Sequence, residues 1–283
     1  MDYPTINYIR DNGIRPVKKR GQNFLVDKNI AEKAVSHGHI LPNDTVIEIG
    51  PGPGSLTYFL TQTNARIFSF EIDNNLFNIL NNSLINESNT QIINKDILEI
   101  DFNDYADQNG NTVLIGSIPY SITTPILLKF LENCSLFKRA VFIIQKEVAE
   151  RLCAEPGSRD YGIFSIYCST YLKSSIVQII PSHCFFPKPK IDSATIELVP
   201  IKEKNWGSDN EKLFRNIVRA SFSNRRKTLS NSLKKFLHDK NIDQALFSAR
   251  SKEFGIDLSR RAETLSVNEF YKLTEITREM FNK

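Results

Sequence analysis

Between two apolar stretches lies Glu48-Ile49-Gly50-Pro51-Gly52-Pro53-Gly54-Ser55-Leu56, a turn with glycine at alternate positions. Such a turn lets backbone approach a ligand closely and presents the N–H groups of the following helix to it. At the carboxyl edge of a parallel sheet, this is where α/β folds take their ligands. A dinucleotide fingerprint would need glycine at position 55, where serine stands, so a nicotinamide cofactor is the poorer reading. Glu71 closes the next β-rich run, 21 residues after Gly50. An acid there accepts hydrogen bonds from both hydroxyls of a ribose. Asp96 follows the third run and is placed to accept from the exocyclic amine of an adenine. Singly, each acid is an ordinary solvated strand end. In series behind the glycine turn, they describe a nucleoside pocket.

The fourth run ends in Gly116-Ser117-Ile118-Pro119-Tyr120. A polar residue followed by X-Pro-aromatic is on the bland view a β-turn closed by proline. On the functional view it is a platform that grips a planar base.

These residues need strands and helices to hold them. Short β-rich runs recur at Thr45–Ile49, Arg66–Ile72, Gln91–Asn94, Thr112–Ile115, Ala140–Ile144, Ser175–Ile180 and Ala194–Leu198. Most are continuously apolar, as strands covered on both faces must be. Helical spacing appears between them, as at Asn74–Asn82 and Thr124–Glu132. The alternation predicts a doubly wound, mostly parallel sheet over residues 1–200. Beyond Pro200 the β signal stops. Leu213, Phe214, Ile217, Val218 and Phe222 recur at helical spacing, followed by Leu229, Leu233 and Leu237. A small helical domain over 201–283 is expected, with its junction near Ile201–Gly207. If the helix starting near Glu211 runs unbroken, Arg215, Arg219 and Arg226 share one face.

Composition narrows the function classes. The chain has 283 residues, 41% hydrophobic and 24% charged, so a sizeable core is available and wholesale disorder is excluded. No apolar run approaches the roughly 18 residues that span a bilayer. The basic N-terminus lacks the apolar segment of a secretory signal, and a cytoplasmic protein is expected. Cys134, Cys153, Cys168 and Cys184 are scattered and fit buried thiols better than a disulfide framework or a zinc site. His37 and His39 have no neighbouring ligand in sequence, and no metal is expected. Net charge is +4, but residues 201–283 carry 18 Lys/Arg against 11 Asp/Glu. The basic tail suggests a polyanionic partner, or else a solvated helical face.

Five ordered motifs give the chain a resemblance. They are Lys18-Lys19-Arg20-Gly21-Gln22-Asn23-Phe24-Leu25, the Glu48–Gly54 turn, and Gly116–Tyr120. Phe185-Phe186-Pro187-Lys188-Pro189-Lys190-Ile191-Asp192-Ser193-Ala194 follows, then Arg219-Ala220-Ser221-Phe222 with Arg225-Arg226-Lys227-Thr228-Leu229. Over nearly its whole length the chain resembles the ribosomal RNA adenine N6-dimethyltransferases, most closely the bacterial small-subunit (16S) branch. The resemblance implies a Rossmann-like, seven-stranded methyltransferase domain followed by a small all-helical RNA-binding domain. It implies S-adenosylmethionine as methyl donor, with Asn23, Leu25, Gly50 and Gly52 around its methionine end, Glu71 on the ribose and Asp96 on the adenine amine.

By the same resemblance, Ser117 and the Ile118 carbonyl accept from the target amine, Pro119 shapes the segment, and Tyr120 and Phe185 stack on the target base. Ser117 also borders the donor. The family usually has asparagine at position 117; a serine hydroxyl is shorter and carries a proton of its own. The implied substrate is a pair of adjacent adenosines near the 3′ end of 16S rRNA in an assembling small subunit, modified by a monomer. Arg10, Arg15, Lys18, Lys19 and Arg20, with Arg215, Arg219, Arg225, Arg226 and Lys227, are the expected phosphate contacts. Three other readings stay open: a ribosome-assembly factor whose chemistry is weakened or lost through Ser117, a 23S rRNA adenine methyltransferase of the macrolide-resistance type, and a DNA adenine methyltransferase.

Overall fold

The computed structural model describes residues 1–17, 20–201 and 208–281. Lys18, Lys19 and most of the expected junction lie outside the described residues. In chain order the strands are β1 (Phe24–Leu25), β2 (Thr45–Ile49), β3 (Arg66–Phe70), β4 (Thr90–Ile93), β5 (Thr112–Ser117), β6 (Phe137–Gln145), β7 (Leu172–Ile180), β8 (Phe185–Phe186) and β9 (Ser193–Pro200). The helices are α1 (Ile6–Asp11), α2 (Lys28–Ser36), α3 (Thr57–Leu60), α4 (Asn74–Ser83), α5 (Thr123–Glu132), α6 (Lys146–Leu152), α7 (Ile163–Tyr171), α8 (Ser208–Ser221), α9 (Leu229–Asp239), α10 (Gln244–Glu253) and α11 (Val267–Phe281).

The seven expected runs all form strands of one sheet, in the order β4-β3-β2-β5-β6-β9-β7. The first five are parallel; β9 lies antiparallel between β6 and β7. Strand β2 is buried at every position because apolar layers cover both faces. On one face Val46, Ile67, Val113, Ile115, Val141 and Ile143 pack against Ala31, Val35, Leu56 and Leu60. On the other, Tyr105 stands edge-on to Phe68 and Phe70, and Phe130 meets Phe137 and Phe142. Aspartates start two of the covering helices. Asp27 Oδ1 accepts the N–H groups of Asn29 and Ile30, and Asp73 Oδ1 those of Asn75 and Leu76, satisfying donors that a helix leaves unpaired.

The chain divides into two compact units. One comprises Met1–Ala149 with Leu172–Pro200, the other Glu150–Tyr171 with Ile201–Lys283. The sequence boundary near 200 did not anticipate that 150–171 would cluster with the tail. The cause is a shared core. Tyr161, Ile166 and Tyr167 are buried with Phe214, Ile217, Leu233 and Phe270, and Tyr161 donates its hydroxyl to the Leu265 carbonyl at 2.9 Å.

The helix containing Glu211 does not run on to Arg226. It stops at Ser221, and a turn follows in which Asn224 accepts backbone N–H groups of Arg226 and Lys227 before α9 begins. Arg226 therefore lies off the face shared by Arg215 and Arg219. Two of the expected phosphate contacts have partners within their own unit: Arg215 pairs with Glu211, and Arg225 donates to the carbonyls of Arg159 and Tyr161. Among the described residues, no helix is long and apolar enough to cross a membrane.

Candidate active site

From β2 the chain proceeds outward to β3 and β4, then returns to the far side of β2 as β5. A crevice opens at the carboxyl ends of two strands whose connections leave in opposite directions. Here those strands are β2 and β5, and Ile49 opposes Gly116 in register. A side chain at Gly116 is sterically barred, since its Cβ would sit 2.7 Å from the Ile49 carbonyl oxygen. Past β2, Gly50 and Gly52 both take left-handed φ values, +59° and +57°, which bend the turn around the crevice.

Two carboxylates brace this turn. Glu48 is wholly buried; Thr57 Oγ1 donates to its Oε1 at 3.0 Å and Oε2 at 2.9 Å, and Ser69 Oγ to Oε2 at 2.6 Å. Burial pushes its pKa up to about 7 against those hydrogen bonds. Glu71, just past β3, takes the N–H of Gly52 on Oε2 at 3.0 Å and that of Asp73 on Oε1 at 2.9 Å. Burial raises its pKa too, opposed by those N–H groups. Asp96 accepts the N–H of Leu98 on Oδ1 at 2.8 Å, leaving Oδ2 for another donor.

The N-terminal segment is drawn in by a second, two-stranded sheet that the sequence did not disclose. Phe24 pairs with Phe186 and Leu25 with Phe185. Ser55 Oγ donates to the Leu25 carbonyl at 2.5 Å and ties this sheet to the glycine turn. Nearby, Arg20 pairs with Asp73 at 2.5 Å. The expected phosphate contact is thus engaged at the start of α4.

A cavity of about 290 Å³ results. Its wall brings together every site residue singled out from the sequence: Asn23, Leu25, Gly50, Gly52, Glu71, Asp96, Ser117, Ile118, Pro119, Tyr120 and Phe185. Tyr120 is part-buried, and its hydroxyl shares a 2.9 Å hydrogen bond with Ser193 Oγ. Burial raises the pKa of that phenol. The wall also includes Glu48, Ile72, Lys95, Ile97 and Ser193, which sequence reasoning did not place there. Glu48 had a signal: a lone acid inside the apolar run Thr45–Ile49 must be hydrogen-bonded to be buried.

A family model for ribosomal RNA adenine dimethylase matches residues 15–279. The chain belongs to the ribosomal RNA adenine dimethylase family. Relatives within reach are close over almost their full length. Ribosomal RNA small subunit methyltransferase A of Clostridium botulinum (strain Loch Maree / Type A3) is 42% identical over 258 residues, covering 91% of this chain and 92% of that protein. The protein of the same description from Clostridium perfringens (strain SM101 / Type A) is 38% identical over 274 residues, 97% of this chain and 95% of its own length. Among solved structures, a dimethyladenosine transferase from Plasmodium falciparum superposes with a TM-score of 0.78 at 26% identity, covering 88% of this chain and 95% of that one. The 23S rRNA methyltransferase ErmE, at 23% identity and a TM-score of 0.72 over 90% of this chain and 100% of that one, shares the fold.

Proposed function

We propose that this dimethylase transfers methyl groups from S-adenosylmethionine to N6 of two adjacent adenosines near the 3′ end of 16S rRNA. It acts as a monomer in the cytoplasm on an immature small subunit. The observation that carries the chemistry is a cavity in which strand-end acids, a glycine turn and a polar-Ile-Pro-Tyr segment converge. The small-subunit substrate is supported by relatives named for that subunit that match 91% and 97% of the chain. Those matches favour it over the 23S reading, for which ErmE lends only a shared fold, and over a non-catalytic assembly factor.

The donor set suits the proposed co-substrate. Glu71 uses one lone pair of each oxygen on a backbone N–H and has the others for a ribose diol. Asp96 Oδ2 suits an exocyclic amine, and Asn23, Leu25, Gly50 and Gly52 enclose the methionine end. When bound, S-adenosylmethionine supplies an electrophilic methyl on a sulfonium whose charge vanishes on transfer.

The protein's task is to present a poor nucleophile. The N6 lone pair of adenine is delocalised into the ring. Ser117 Oγ and the Ile118 carbonyl accept from the two N–H bonds, draw the nitrogen toward tetrahedral geometry and aim its lone pair. Positioning and fixed dipoles do this without a strong general base. Tyr120 and Phe185 stack on the base once it has left its neighbours, each such contact being worth about 1–3 kcal/mol. The basic helical unit and the N-terminal arginines hold the RNA by its phosphates, so affinity falls steeply with salt.

The deciding experiment is mass spectrometry of ribosomal RNA from cells with and without the protein. Paired dimethyladenosines in 16S rRNA that vanish with the protein are expected. Their persistence, or loss from 23S rRNA instead, overturns the proposal.

A further inference from the structure

The segment Ile191-Asp192-Ser193-Ala194 stands out in the sequence, yet stacking and donor binding leave it without a task. Ser193 is fully buried at the start of β9, opposite Gln145 of β6 and Ile180 of β7. Its hydroxyl reaches across 73 residues of chain to Tyr120 OH at 2.9 Å. One residue earlier, Asp192 Oδ1 accepts the N–H of Ser182 at 2.9 Å, and its carbonyl accepts the N–H of Lys146 at 3.1 Å. Asp192 thus fastens this corner to the short turn Ser182–Cys184 that leads into Phe185. Two consecutive residues therefore bear on two of the aromatic residues of the cavity wall, Ser193 through the Tyr120 hydroxyl and Asp192 through the backbone of Ser182, three residues before Phe185.

We infer that Ser193 is a positioning residue for Tyr120, pinning the far end of the ring so that it stands as a fixed wall of the target-base slot. The inference rests on the proposed function. Tyr120 opens the single 3-10 turn Tyr120–Ile122, whose backbone fixes its Cα but leaves the ring free to swing about the Cα–Cβ bond. A hydrogen bond from a fully buried hydroxyl on a central strand restrains it. A ring held at the correct tilt lowers the cost of bringing the amine into line with the methyl donor, which appears in turnover. RNA affinity comes chiefly from phosphate contacts and is left largely unchanged.

The test is a double-mutant cycle of Ser193→Ala and Tyr120→Phe, read as kcat and KM on immature small subunits with S-adenosylmethionine. Each single variant is expected to lose about three- to tenfold in kcat, as one hydrogen bond warrants, with KM for the particle within about twofold. The double variant should be no slower than either single one, because both remove the same bond. Losses that multiply, or losses confined to KM, overturn the inference while leaving the proposed function standing. Should Ser193→Ala fail to fold, Tyr120→Phe alone decides: it keeps the ring and removes the bond, so wild-type kcat overturns the inference. A wild-type protein inactive on every ribosomal RNA takes both proposals down together.

Discussion

Gly52 donates its backbone N–H to Glu71 Oε2 over 3.0 Å, making the glycine turn and the end of the adjacent strand one hydrogen-bonded piece. Glu71 thus has two tasks, holding the turn in shape and offering its remaining lone pairs to a ribose. Glu71→Ala abolishes both and leaves a buried N–H unsatisfied, at a cost of about 1–3 kcal/mol. Affinity for S-adenosylmethionine should fall about 10- to 100-fold by isothermal titration calorimetry. Unchanged affinity would remove Glu71 from the donor site.

Glu48 makes stability depend on pH. Its folded pKa of about 7 lies above the ordinary 4.5 because burial disfavours the charge. The native state therefore retains a proton that the unfolded chain has released. The stability linked to that proton is fully present below about 4.5 and is lost as pH rises through about 7. Glu48→Gln cannot titrate. Between about pH 5 and 8, its unfolding free energy should gain on that of the wild type with rising pH, by at most about 1.4 kcal/mol per pH unit. Denaturant titrations across that range check this, and a constant difference would show that Glu48 is charged throughout.

Gly116 sits where β5 passes closest to the end of β2. A methyl group there meets the Ile49 carbonyl oxygen at 2.7 Å and its Cβ at 2.9 Å, both on a central strand with no room to retreat. Gly116→Ala should cost about 1–3 kcal/mol, the usual penalty of overpacking, seen as a lowered unfolding midpoint. An unaltered midpoint would mean that the two strands separate freely.

The seven strands of the main sheet were legible because most are apolar runs bounded by turn residues, and burial on both faces writes that pattern directly into interior strands such as β2 and β5. The cavity was legible for a related reason. Gly50, Glu71, Asp96 and Ser117 all follow strands whose ends are easy to find. What escaped depends on partners distant in sequence. The pair Phe24–Leu25 with Phe185–Phe186 is too short for any periodicity, and only its tertiary pairing makes it a sheet. Likewise, α7 reads as another helix of the sheet domain until Tyr161 and Tyr167 are seen buried beside Phe214. The helix end at Ser221 was written in Ser223-Asn224, a turn former overlooked because the apolar spacing continued through Phe222.

Ser117 stands where the resemblance implies asparagine, and the consequence of a serine there should differ between the two methyl transfers. An unmodified adenine amine has two N–H bonds, so the Ile118 carbonyl can hold one even when position 117 offers nothing. After the first methyl only one N–H is left, and the acceptor that engages it must also leave room for the methyl already attached. The compact serine hydroxyl leaves that room but reaches less far than an amide oxygen. Ser117→Ala should therefore slow the first transfer about three- to tenfold, the worth of one hydrogen bond, and slow the second more. Ser117→Asn should restore or exceed wild-type speed on the first. Single-turnover time courses, resolved by mass spectrometry into mono- and dimethyladenosine, separate the steps. If Ser117→Ala matches wild type in both, the hydroxyl takes no part in gripping the amine, and the Ile118 carbonyl alone orients the nitrogen.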